Sequence, residues 1–205
     1  MNASVKYILT FCLRVIFYAA MMLMLNVIFK HDANHITSTG KFGENSWTEI
    51  TQEIFLFLVT LIFIATGSFN RQLAAVSYLL SVFFFAAFIR EFNNQITYWF
   101  YLEIPLMILF AGLLFYYRST LILSIQQFIN NRAIPWLVTG LLVTFVFSRF
   151  FGKTLLWQQI LETDYNRWAK NAAEEGIELL GYSLLFIAGI EIFIQAWQER
   201  KQMKK

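Results

Sequence analysis

Apolar positions in this chain fall into long blocks separated by short polar interruptions. Six blocks, at about 7–29, 50–69, 72–90, 97–117, 134–151 and 174–197, meet or approach the ~20 apolar residues that a helix needs to cross a hydrocarbon core. In lipid every backbone N–H and C=O must be satisfied within the segment, so such blocks predict helices. Aromatic residues mark their ends as interfacial belts do: Tyr98, Trp99 and Tyr101, then Tyr116 and Tyr117, then Trp136 and Trp197. No Gly/Ser-rich linker, low-complexity tract or internal repeat divides the chain. The expected fold class is all-α, a polytopic transmembrane bundle of six spans forming one domain over residues 1–205.

Two connecting segments carry helical patterns of their own. Within 154–170, Leu156, Trp157, Ile160, Leu161, Tyr165 and Trp168 share one broad face, opposite Gln158, Gln159, Glu162 and Asn166. That predicts an interfacial helix on the outer side. Residues 119–131 predict either a similar helix on the cytoplasmic side or an extension of the fourth span.

Composition supports the membrane reading. Of 205 residues, 58% are hydrophobic and 14% charged, against about a quarter charged in ordinary soluble domains. A formal charge of +3, with no basic patch, argues against a nucleic-acid partner. The lipid bilayer is the partner implied, together with a membrane protein or a lipid-linked ligand. Cys12 is the sole cysteine, which excludes an intramolecular disulfide and CxxC chemistry. Arg14 interrupts the first apolar block and no A-x-A-like site follows, so an uncleaved first span is expected.

Lys and Arg at the span ends set the expected orientation. With both termini in the cytoplasm, the inner side holds Lys6, Arg71, Arg118, Arg132, Arg200, Lys201, Lys204 and Lys205. The outer side then holds Lys30, Lys41, Arg90, Lys153, Arg167 and Lys170. On this orientation the outer half carries 11 acidic and 7 basic residues, and the inner half 9 basic and 2 acidic. Small size and the absence of a cleaved signal point to a bacterial inner membrane.

Ionisable side chains at membrane depth are costly when isolated, so they turn inward and find partners. Glu49 and Glu53, four residues apart, share a face of the second span with Thr60 and Gly67. Glu174 and Glu178 align above Gly181, Leu185, Ala188 and Ile192, with Glu175 rotated by about 100° from Glu174. The third span ends in Arg90-Glu91 ahead of Asn93, Asn94 and Gln95; Ser77, Ser81 and Glu91 share a face from which Arg90 points away. Glu103 sits roughly 8–9 Å below the start of the fourth span, just before Pro105. Arg149 lies near the outer end of the fifth.

These residues predict a polar pocket in the extracytoplasmic half, lined by Glu49, Glu53, Glu91, Glu103, Arg149, Glu175 and Glu178. Helix-start carboxylates are the plainer explanation for Glu49, Glu53, Glu174 and Glu175, because the helix dipole favours negative charge there. Glu103 and Glu178 lie deeper. Carboxylates sharing a site favour a shared proton, and oxygen-rich sites suit divalent cations. On the inner side, Arg14 and Glu191 match in depth and oppose in sign, predicting a structural ion pair between first and last spans.

His31 and His35 have the H-x-x-x-H spacing of a zinc site that Asp32 or Glu44 would complete. The Asp, Asn, Ser, Thr and Gly around them predict a solvated loop instead. With both histidines in one segment, and without G-x-x-x-x-G-K-[ST] or G-x-G-x-x-G, neither haem nor nucleotide is expected as cofactor. G-x-S-x-G and H-E-x-x-H are also absent.

The favoured function is therefore non-enzymatic: transport, sensing or assembly with a partner, through a pocket that binds a cation or small polar group. The alternative is an intramembrane enzyme using carboxylates and a divalent metal on a lipid-linked or periplasmic substrate.

Overall fold

The computed structural model describes residues 3–36, 40–43, 45–92 and 98–203. Glu44, Asn93, Asn94, Gln95, Lys204 and Lys205 lie outside the described residues. The six apolar blocks form six helices, each long and apolar enough to cross a membrane. They are α1 (Ala3–Asn34), α2 (Trp47–Phe69), α3 (Ala74–Glu91), α4 (Trp99–Tyr117), α6 (Ile134–Phe151) and α8 (Arg167–Met203). Two short helices join them: α5 (Leu121–Ile129) and α7 (Thr154–Leu161).

Helix boundaries differ from the apolar blocks where polar residues cap or extend the helices. α1 continues to Asn34, whose Nδ2 donates to the carbonyl of Lys30 at 2.9 Å. α2 starts early, at Trp47, because Ser46 Oγ accepts from Glu49 N at 3.2 Å as an N-cap. The segment 154–170 is not one helix. α7 stops at Leu161, Glu162 takes a left-handed φ of 48°, and a 3₁₀ turn covers Glu162–Asp164. Asn166 Oδ1 then accepts from Trp168 N at 2.8 Å, so residues 167–170 become the first turn of α8. α7 is held to the end of α6 by Trp157 Nε1, which donates to the Phe151 carbonyl at 2.6 Å.

α5 is separate from α4 and packs on α3, where Ser124 Oγ accepts from Val76 N at 3.3 Å. At 1.5 Å per residue, α1 spans about 48 Å and α8 about 55 Å. Both therefore project beyond a ~30 Å core.

The core forms around α8. Its fully buried stripe of Leu185, Ala188, Ile192 and Ala196 meets α2 on one side and α6 on the other, and α3 packs behind α2. Stacked rings fill the middle: Phe55 on Phe186 at 5.0 Å and Phe63 on Phe84 at 5.6 Å. α1 reaches this core through α2 and α8, and α4 reaches it through α3 with none of its residues buried. With lipid tails as apolar as the side chains facing them, helix association rests on close packing, and α6 and α8 approach closely.

Two glycines permit that approach. A Cβ on Gly140 would sit 2.8 Å from Leu185 Cδ2, and one on Gly181 would sit 2.0 Å from Thr144 Oγ1 and 2.9 Å from Thr144 N. Opposite Gly181, α6 opens into a π-helical turn over Val143–Phe147. The extra residue of such a turn rotates the rest of the helix by about 100°, and here it turns Ser148 and Arg149 toward α8.

Gly181→Ala is expected to destabilise the protein by about 1–3 kcal/mol, because the α6 backbone must move. Gly112→Ala is the control, since a Cβ there meets nothing within 4 Å. Thermal unfolding in detergent should lower the midpoint for Gly181→Ala alone.

Candidate functional site

At the end of the bundle away from the chain termini, five helices contribute to one connected layer of charge. Glu178 on α8, 5% exposed, forms an ion pair with Arg149, whose Nη2 lies 3.0 Å from its Oε1, and accepts from Ser148 Oγ at 3.1 Å. Arg149 Nη1 also lies 3.5 Å from Glu174 Oε1, and Glu174 Oε2 accepts from Lys170 Nζ at 2.9 Å. Lys170 Nζ donates to the Gly152 carbonyl at 3.4 Å. Gly152 leaves room for this carboxylate, since a Cβ there would be 2.3 Å from Glu174 Oε1 and the side chain would have to shift.

On the α3 side, Glu91 Oε1 accepts from Tyr182 Oη at 2.9 Å and from Arg90 Nη2 at 3.2 Å. Glu91 lies within electrostatic reach of Glu178 and of Glu53. Arg90 lies against this layer rather than pointing away from it, with its guanidinium 5.9 Å from the centre of the Phe145 ring. Phe145 belongs to the π-helical turn and also meets Tyr182 edge-on. That turn therefore positions both the Arg149–Glu178 contact and the ring beneath Arg90.

The remaining acids lie around this line. Glu175 turns to α2, where Gln52 Nε2 donates to its Oε2 at 3.0 Å and to its carbonyl at 3.1 Å. It stays within electrostatic reach of Glu178 and Glu49. Glu49 remains a helix-start residue, accepting from Asn45 N at 2.6 Å. Glu103 lies about 6 Å below the start of α4, shallower than the block boundary implied. Its Oε1 is buried without a hydrogen-bond partner, and Arg90 is its electrostatic neighbour.

Tyr182, Ser148, Glu174, Lys170 and Gln52 belong to this network although sequence pattern did not single them out as lining residues. Tyr182 follows Glu178 by four residues and shares its face, which is a readable signal. Ser148 and Lys170 had none, because their placement depends on the π-helical turn and on the early start of α8.

At the opposite end, Arg14 Nη1 meets Glu191 Oε2 at 2.9 Å, and Tyr18, one turn from Arg14, donates its hydroxyl to Glu191 Oε1. The two carboxylate oxygens are thus held separately by two groups of α1.

The histidines are placed differently from a solvated loop. His31 is within α1, its ring stacks on His35 at 3.9 Å, and His35 Nδ1 lies 2.7 Å from the His31 carbonyl. Asp32, 3% exposed, lies with Oδ1 3.2 Å from His31 Nδ1 and caps α2. It accepts from Thr48 N at 2.6 Å, Thr48 Oγ1 at 2.7 Å and Trp47 N at 3.3 Å. Among the described residues no three His, Cys, Asp or Glu side chains converge to hold a metal ion.

Fold and buried charge together define the class: a multi-pass, all-α integral membrane protein. Comparison with protein-family models, curated proteins and solved structures yields no match.

Asp32→Ala should cost about 1–3 kcal/mol and raise amide exchange at Trp47 and Thr48, since it strips buried donors of a charged acceptor. Equal exchange in mutant and wild type would show that α2 is capped by something else. For the Arg14–Glu191 pair, a double-mutant cycle of Arg14→Ala and Glu191→Ala should give a coupling above about 0.5 kcal/mol, whereas strictly additive effects would separate the two residues energetically.

Proposed function

We propose that the charged layer away from the termini binds a small cation, the proton included, and that the protein acts as a sensor or assembly partner in the membrane. The observation that carries this reading is a charge imbalance at membrane depth. Glu53, Glu91, Glu103, Glu174, Glu175 and Glu178 share the layer with Arg90, Arg149 and Lys170. Unpaired buried charge is costly, so the excess carboxylates are satisfied by bound positive charge. Glu103 Oε1 offers an acceptor without a partner.

The absence of a convergent ligand set among the described residues favours a proton or monovalent ion over a tightly held divalent metal. Passage across the bundle is disfavoured by the packing beneath the layer. Phe55, Phe63, Phe84 and Phe186 stack there, and the buried hydroxyls of Thr60 and Ser183 are spent on their own helix backbone. An ion-paired centre of Arg149, Glu178 and Ser148 favours binding over catalysis on a lipid-linked substrate. The concentration of Lys and Arg toward the other end supports cytoplasmic termini, in a bacterial inner membrane.

The test is thermal stability of detergent-purified protein against pH and against Na⁺, K⁺, Mg²⁺ and Ca²⁺. A cation held only by the native state raises stability by about 2.7 kcal/mol at a hundredfold excess over Kd. Wild type should respond to pH or to one of these ions, and Glu103→Gln and Glu178→Gln should blunt the response. Coincident profiles for all three proteins would overturn the proposal.

A further inference from the structure

The end of the bundle that carries the termini holds a second feature, independent of the acidic layer. Because α1 touches the bundle chiefly at α2 and α8, a groove of about 940 Å³ opens between α1, α6 and α8. Along α8 it runs from Leu184 to Gln202, roughly 27 Å at 1.5 Å per residue. That length covers one bilayer leaflet with its headgroups, about 20–22 Å. Its deep part is apolar, with Val15 and Met22 facing Leu184 and Ile187, and Trp136 stands half-exposed at its side.

The shallow part is basic. A smaller cavity of about 380 Å³ shares Arg14, Arg132 and Gln198 with the groove and adds Lys6, Tyr7 and Thr10. The acids facing the groove are Glu191 and Glu199. Glu191 is neutralised by Arg14, and Glu199 accepts from Gln195 and Asn70. Neither Glu191 nor Glu199 lines the smaller cavity, and neither Lys6 nor Arg132 forms an ion pair among the described residues. Two uncompensated cations thus stand where an apolar trough meets the headgroup level.

We propose that this groove is a binding site for an anionic phospholipid, with the tails in the trough and the phosphate held by Lys6 and Arg132. Basic pockets between membrane helices recognise anionic headgroups in this way. A zwitterionic lipid would bring its own cation to the same mouth and gain less. The apolar trough is what separates a lipid from free phosphate as the source of the anion. The Arg14–Glu191 pair lies in the wall, where a bound tail shields it from water.

The experiment uses the full chain in mild detergent, titrated with phosphatidylglycerol, with phosphatidylcholine of the same acyl chains, or with inorganic phosphate. Native mass spectrometry counts retained lipid, and thermal melting reads stabilisation. Phosphatidylglycerol should be retained and raise the melting temperature, phosphatidylcholine much less, and phosphate not at all. The Lys6→Gln/Arg132→Gln variant, which leaves the Arg14–Glu191 pair intact, should lose roughly 30-fold of the preference, at about fivefold per basic side chain. Its melting in phosphatidylcholine should match wild type, which separates lost binding from lost folding. Equal retention of the two lipids, an unchanged preference in the variant, or an equal response to free phosphate would overturn the site. So would a lipid-free dimer that buries the groove.

Discussion

The contact between Thr144 and Gly181 is the constraint on which most of this architecture depends. In a bilayer no hydrophobic gain drives one helix toward another, so approach has to come from surface shape. A glycine on α8 faces a π-helical turn on α6, and the two backbones come within a distance that one methyl group would prevent. The same turn sets the rotation of the far end of α6. Arg149 and Ser148 reach Glu178, and Phe145 slides under Arg90 and beside Tyr182. Packing and electrostatics at that end are therefore one feature: the close contact determines where the cations stand.

The charged groups within the bundle sort into two layers separated by aromatic packing. Away from the termini, carboxylates outnumber the cations that reach them, and the network runs Glu53, Glu91, Glu178, Glu174 across three helices. Near the termini, one carboxylate is fully matched by an arginine and a tyrosine. The first arrangement calls for a further positive charge and the second does not. That difference is why binding is proposed at one layer and a structural role assigned to the other.

Peripheral helices give the molecule its lipid-facing character. α4 buries none of its residues, and α1 is held along one side: Asp32 caps α2 near its end, Met21 and Leu25 enter the core, and Arg14 with Tyr18 grips Glu191 near its middle. A helix attached in this way leaves a trough beside it, and in a membrane a trough fills with lipid. Lys6 and Arg132 at its mouth make the choice of lipid a matter of charge.

The run of apolar residues determined six helices and an all-α fold, because backbone hydrogen bonding in hydrocarbon allows a single spanning chain of this kind no other solution. Matched depth and opposite sign were enough to bring Arg14 together with Glu191, and i,i+4 spacing to align Glu174 with Glu178. What sequence did not show was where each helix begins and how it is rotated. Asp32 reads as a loop acid and is a cap; residues 167–170 read as an interfacial helix and are the first turn of α8. Arg149 gains Glu178 and Lys170 gains Glu174 through an inserted π turn and an early cap, neither of which has a periodicity to detect. Hydrophobicity is summed over many residues and survives small shifts. A hydrogen-bonded charge depends on rotation to within a fraction of a turn, which only neighbouring helices decide.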